Sequence, residues 1–198
     1  MMKFNTLRAA LALVAVATLS VPADAHKLAE KGKPVTVADS TLSITPTRDW
    51  NRLSGKVGKH AEAWTLDGEQ LDEVTFYAAI APGEPLLRER SKKKEPLPKF
   101  RKDMLLAEVP ELLERTYRTG KDARDFQLSG ATPGTFLGRD GVTFSYLVTD
   151  ADGLTRKGEA RAAIVDGKLY MVTFDAPRLH YFDLLADDAR ALMASAKL

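Results

Sequence analysis

The chain has 198 residues, 44% hydrophobic and 28% charged, with 29 Lys and Arg against 27 Asp and Glu. It contains no cysteine, which excludes a disulfide framework, thiolate metal sites and thiol nucleophiles. A formal charge of +2 gives no global electrostatic argument for nucleic acid.

The first 25 residues read as a cleavable export signal. Lys3 and Arg8 supply a positive end free of acids. Ala9 to Leu19 is a small and aliphatic run interrupted only by Thr18, then Pro22 breaks the helix ahead of Ala23-Asp24-Ala25. A spanning helix needs roughly 20 apolar residues, and this run falls well short of that. No cysteine follows it, so lipid anchoring at that site is excluded. The expectation is removal of 1–25, a flexible lead-in over 26–34 (HKLAEKGKP) and a single domain over 35–198. The expected address is the bacterial periplasm, otherwise the medium.

Val35 to Ala38 and Thr41 to Thr45 read as strands, with Leu42 and Ile44 alternating against polar neighbours. Pro46 stops the second, and 47–53, carrying Trp50, reads as a short turn of helix or a loop. His60 to Leu66 and Glu73 to Ile80 form a second strand pair, with Asp67-Gly68 opening the connection. The segment 81–98 is a long polar loop, either mobile or used. A helix follows, roughly Ala107 to Arg118, with Pro110 in its first turn and Gly120 as its stop. Val109, Leu112, Leu113, Thr116 and Tyr117 share one face of it.

Further on, a short strand at Gly134 to Gly138, a strand at Val142 to Thr149, a return strand at Leu154 to Val165 and a last strand at Lys168 to Asp175 are separated by Asp140-Gly141, Asp152-Gly153 and Asp166-Gly167. Strands joined by tight Asp-Gly turns predict an antiparallel meander. The chain closes on an amphipathic helix near 179–196, with Phe182, Leu185, Ala189, Leu192, Met193 and Ala196 on one face. Helices and strands with one apolar face each predict an α+β domain, an antiparallel sheet flanked by helices.

The spacing of Leu42, Ile44, Pro46 and Trp50, the early strands, the middle helix, the meander and a final helix after Ala176-Pro177 resembles the PsbP-like α/β/α sandwich family. Leu169 to Phe174, Tyr181-Phe182 and Met193-Ala194-Ser195 carry the best local match. The family includes a photosystem accessory protein and many small bacterial exported proteins. The resemblance implies a non-catalytic accessory or binding role. It carries over no functional residue and no cofactor. The stretch 64–68 (WTLDG) with Leu71-Asp72 looks like a recurring bacterial turn, to which no function attaches.

Three places could carry chemistry. If cleavage follows Ala25, the amine and imidazole of His26 could chelate Cu(II). His60 and His180 stand apart in sequence and form no zinc motif. The segment 88–102 is basic, and Lys92, Lys93, Lys94, Arg101 and Lys102 with Phe100 interleaved could meet an acidic envelope protein or an anionic membrane surface. The pairs Phe144/Tyr146 and Tyr170/Phe174 each share a sheet face, which would take a small amphiphile if the helices left that face uncovered. No Gly-x-Ser-x-Gly elbow occurs, and the acids sit mainly in Asp-Gly turns or on polar helix faces. The expected role is a non-catalytic binding protein of the cell envelope. The alternatives are an envelope hydrolase and a copper protein using His26.

Overall fold

The computed structural model describes residues 27–91, 93 and 95–198. The expected signal at 1–25 and His26 lie outside the described residues. The strands are β1 (Lys27–Ala29), β2 (Val35–Thr36), β3 (Ser43–Ile44), β4 (Trp50–Arg52), β5 (Ala61–Thr65), β6 (Glu73–Ile80), β7 (Asp125–Phe136), β8 (Arg139–Thr149), β9 (Thr155–Val165) and β10 (Lys168–Pro177). The helices are α1 (Val109–Gly120), entered through a 3-10 turn at Leu106–Glu108, and α2 (Tyr181–Ala194). Eight strands form one antiparallel sheet in the order β1-β4-β5-β6-β10-β9-β8-β7, and β2 pairs with β3 in a small second sheet.

Strand alternation sorts the core into two layers. On β10, Tyr170, Val172, Phe174 and Ala176 face α2, where they meet Phe182, Leu185, Ala189 and Met193. Leu169 and Met171 face the other way, into the layer closed by Val109, Leu112, Leu113 and Tyr117 of α1. Each helix therefore buries its apolar stripe on its own side, as the helical spacing predicts. The β2–β3 hairpin covers the α2 side, and reciprocal backbone bonds between Ser43 and Lys197 tie it to the C-terminus.

At 27–29, inside the expected lead-in, β1 pairs with β4 and Ala29 is buried. Three expectations need correction. Trp50 opens strand β4 instead of sitting in a loop, because its ring has a place in the α2-side core. The segment 81–104 is laid over the α1 side of the sheet, with Leu86, Leu87, Leu97, Phe100 and Met104 buried. Finally, the β7–β8 turn is Leu137-Gly138, so β7 is far longer than the expected strand. Asp140-Gly141 lies inside β8. A Cβ on Gly141 would stand 2.7 Å from the Ala162 carbonyl oxygen, so that glycine serves a close strand approach and not a turn.

The other Asp-Gly turns hold. Asp166 and Gly167 both have positive φ, as a two-residue type I′ hairpin requires. The 64–72 turn also has a physical account. The buried Asp72 carboxylate accepts the amides of Leu66 and Asp67 at 2.8 Å each and the Thr65 hydroxyl at 3.0 Å. Asp72 thus satisfies the backbone of the β5–β6 connection.

Candidate functional site

Two groupings of polar side chains stand out, one buried beside a small cavity and one around a large cleft. The buried one lies between the sheet and α1. Asp175 shares the α1 side of β10 with Leu169, Met171 and Thr173, and it is 2% exposed. Tyr117, from the last turns of α1, donates its hydroxyl to Asp175 Oδ2 at 2.6 Å. The Tyr117 ring stands edge-on to Tyr146 and Phe126, which stack on each other at 4.8 Å. Lys121 follows α1 directly, and its Nζ lies 2.7 Å from Glu73 Oε1 and 4.6 Å from the centre of the Tyr117 ring.

Burial sets the acidities here. It raises Asp175 above the usual carboxylate range, against the opposing pull of Lys121 and the Tyr117 hydroxyl. Burial also lifts Tyr117 and Tyr146 well above 10, reinforced by the charge of Asp175. Tyr77, wholly buried, is pushed up to about 12 by the same desolvation. At Glu73 burial works upward, but the Lys121 ammonium outweighs it and holds the carboxyl below its ordinary value. The tyrosines are therefore neutral and the Glu73–Lys121 pair is ionised at neutral pH.

Four buried polar atoms here, Tyr77 Oη, Tyr146 Oη, Thr173 Oγ1 and Asp175 Oδ1, have no hydrogen-bond partner among the described residues. The cavity walled by Tyr117, Lys121, Arg156 and Asp175 measures about 50 Å³, the volume of one or two water molecules. Gly158 completes the packing: a Cβ there would run into the Tyr146 ring and fall 2.7 Å from Asp175 Oδ1. This cluster has shifted acidities but no room for a substrate.

The cleft grouping lies where β1, β4 and β5 form the other end of the sheet. A cleft of about 640 Å³ is lined by Lys27, Asp39, Arg52, Lys56, Lys59 and Glu62, among others. Glu62 is its structural hub. Its Oε1 accepts Arg52 Nε at 2.6 Å and Trp64 Nε1 at 2.7 Å, and its Oε2 accepts the Ala38 amide at 2.9 Å. Ala38 and Asp39 carry the tight β2–β3 connection with successive φ of 52° and 48°, a conformation that costs non-glycine residues energy.

The residues singled out from sequence fare differently. Lys93 is exposed in the small turn closed by the Ser91–Glu95 bridge, and Lys92 and Lys94 lie outside the described residues. Phe100 is not an apolar tip: it is 1% exposed, because the sheet core takes its ring. Arg101 is ion-paired, with Nη2 2.8 Å from Glu108 Oε1, and Arg90 pairs with Asp122 at 2.9 Å. Lys102 is exposed beside them. The segment is thus a packed strap with partly neutralised charge. Phe144, Tyr146, Tyr170 and Phe174 are all buried, so no groove opens over either pair.

Among the described residues no three His, Asp or Glu side chains gather as metal ligands, and neither His60 nor His180 hydrogen-bonds a serine. Sequence reasoning missed both polar groupings. The period of two from Leu169 to Asp175 signals that Asp175 points into a core, but nothing local signals which tyrosine it meets.

No protein-family model and no curated protein sequence matches the chain. Solved structures do. The solution structure of cyanobacterial PsbP (CyanoP) from Synechocystis sp. PCC 6803 is 14% identical, with a TM-score of 0.56 over 94% of this chain and 98% of that one. LpqN of Mycobacterium tuberculosis, involved in cell envelope biogenesis, is 13% identical with a TM-score of 0.44, over 83% of this chain and 88% of that chain. The Saccharomyces cerevisiae Ran-binding protein Mog1p is 10% identical with a TM-score of 0.45, over 83% of this chain and 90% of that chain. The fold is the PsbP-like α+β fold, as the order of elements in the sequence implies.

Proposed function

We propose that this chain is an exported, non-catalytic binding protein of the bacterial cell envelope, working in the periplasm. One observation carries the non-catalytic reading. The groups with the most perturbed acidities are buried beneath α1, beside a cavity of only about 50 Å³, too small to hold a substrate against them. A general acid or base must come within hydrogen-bond reach of the atom it serves. The large cleft at the opposite end offers the reverse: volume within the usual range of ligand pockets, and cations of which Lys27 and Lys56 enter no ion pair among the described residues. Export is supported by the order of charge, apolar run and small residues over 1–25. Among the described residues no helix is long and apolar enough to cross a membrane.

The test is a native mass spectrum of the protein isolated from the periplasm. A species starting at His26 that carries a non-covalent adduct, or a partner protein, is the expected result. Turnover of an ester, amide or glycoside that survives Arg52→Lys but not Asp175→Asn would overturn the reading.

A further inference from the structure

We infer that the β1–β4–β5 cleft is an oxyanion site, built to take a phosphate or carboxylate group presented by an envelope molecule; this rests on the binding-protein reading and names its ligand chemistry. The first ground is a like-charge register pair of which only the Arg52 member is answered, by Glu62. Lys27 of β1 and Arg52 of β4 are register partners on adjacent strands. Like charges directly opposite on a sheet repel. Glu62, the nearby carboxylate, already accepts from Arg52 Nε, Trp64 Nε1 and the Ala38 amide, and makes no ion pair with Lys27. Lys27 takes part in no ion pair among the described residues.

The second ground is the state of Arg52. Its Nε is fixed by Glu62 and its guanidinium lies 5.8 Å from the centre of the Trp64 ring. No protein group among the described residues accepts from its two terminal nitrogens. An arginine held by one edge and free at the other is the half of a fork that carboxylates and phosphates complete. The side chain is 26% exposed, so the fork is oriented and partly desolvated, unlike a free surface lysine.

The balance of the remaining charges agrees. Lys56 adds a third cation from the 53–59 loop, and Lys59 a fourth that Glu84 holds at 2.7 Å. Asp39 is the one acid of the lining outside the Glu62 hub, and it sits on the strained 38–39 turn. An incoming oxyanion would bridge Lys27 and Arg52, relieve their repulsion and stay within reach of Lys56.

The experiment is a titration of the exported chain with inorganic phosphate at low ionic strength, followed residue by residue in amide NMR spectra. Its second arm measures attachment to phosphatidylglycerol vesicles against phosphatidylcholine vesicles. Saturable shifts confined to the residues around 27, 38–39 and 52–59 are expected. Arg52→Lys keeps the charge and the Glu62 contact but loses the fork, and it should weaken binding ~10-fold. Lys27→Gln and Lys56→Gln, both at exposed positions, should each weaken it a few-fold without disturbing the fold.

Phosphate binding without vesicle preference would identify a soluble anion. A phosphatidylglycerol preference lost in the same variants would identify a lipid headgroup. Absence of saturable shifts together with no phosphatidylglycerol preference, or binding unchanged in Arg52→Lys and Lys27→Gln, would overturn the site. A silent cleft with an adduct or partner retained in the native spectrum would remove the oxyanion site and leave the binding-protein reading standing.

Discussion

The two polar groupings of this molecule use similar residue types in opposite ways. Under α1 the ionised groups are paired inside the fold: Glu73 has Lys121, and Asp175 Oδ2 has the Tyr117 hydroxyl, although Asp175 Oδ1 has no hydrogen-bond partner among the described residues. At the β1–β4–β5 end, the nearby carboxylate is engaged by Arg52, Trp64 and the Ala38 backbone and makes no ion pair with Lys27. Internally matched charge holds a fold together. Charge left over beside an open volume is available to something that arrives. The contrast teaches that shifted acidity alone is a poor pointer to function, since burial produces it wherever a polar group is enclosed.

The largest effect should come from filling the buried cluster. Gly158→Ala drives a methyl into the Tyr146 ring and Asp175. Overpacking typically costs ~1–3 kcal/mol, and an approach this close belongs at the upper end, read as a lowered denaturation midpoint. A variant as stable as the parent would mean the cluster is loose enough to open. Lys121→Met ranks next. It strands a largely buried Glu73, for a loss of ~2 kcal/mol. Adding Glu73→Gln should restore part of that loss, and a double variant worse than the single one would show that the pair is not the relevant unit.

Asp175 should give a smaller effect with a distinctive pH profile. Its folded pKa lies above its ordinary value of 3.8, so the folded protein holds that proton more tightly than the unfolded chain. Its contribution to stability is fully present below pH 3.8 and is lost as pH rises through the raised folded value. Asparagine keeps an acceptor for Tyr117 and cannot ionise. The stability of Asp175→Asn relative to the parent should therefore improve as pH rises from about 4, then level off. Glu73 has the opposite dependence, its support being lost as pH falls below 4.5, but it is common to both proteins and cancels. A difference independent of pH would contradict the buried-acid account. Smallest of all, Lys93→Ala on the exposed strap should stay within ~0.5 kcal/mol of the parent.

Much of the fold was legible because it rests on local periodicity. The apolar stripe of Val109, Leu112, Leu113, Thr116 and Tyr117 and the limits of β6 follow from sequence spacing alone. The errors came where tertiary contacts override a local signal. Asp140-Gly141 has turn chemistry, yet Gly141 is required by the neighbouring β9 backbone. The strap at 81–104 looks like a polar loop, yet Leu86, Leu97 and Phe100 find a sheet surface to cover. The site was harder still. The approach of Lys27 to Arg52 depends on β1 pairing with β4 across 25 residues of chain, and nothing in either segment announces it.

The measurement that bears most directly on the central claim is a side-by-side phosphate titration of the parent, Arg52→Lys and Asp175→Asn proteins. Binding that weakens in Arg52→Lys and is unchanged in Asp175→Asn would place function at the open end of the sheet. Binding lost in Asp175→Asn and kept in Arg52→Lys would contradict the account and return the working site to the buried cluster.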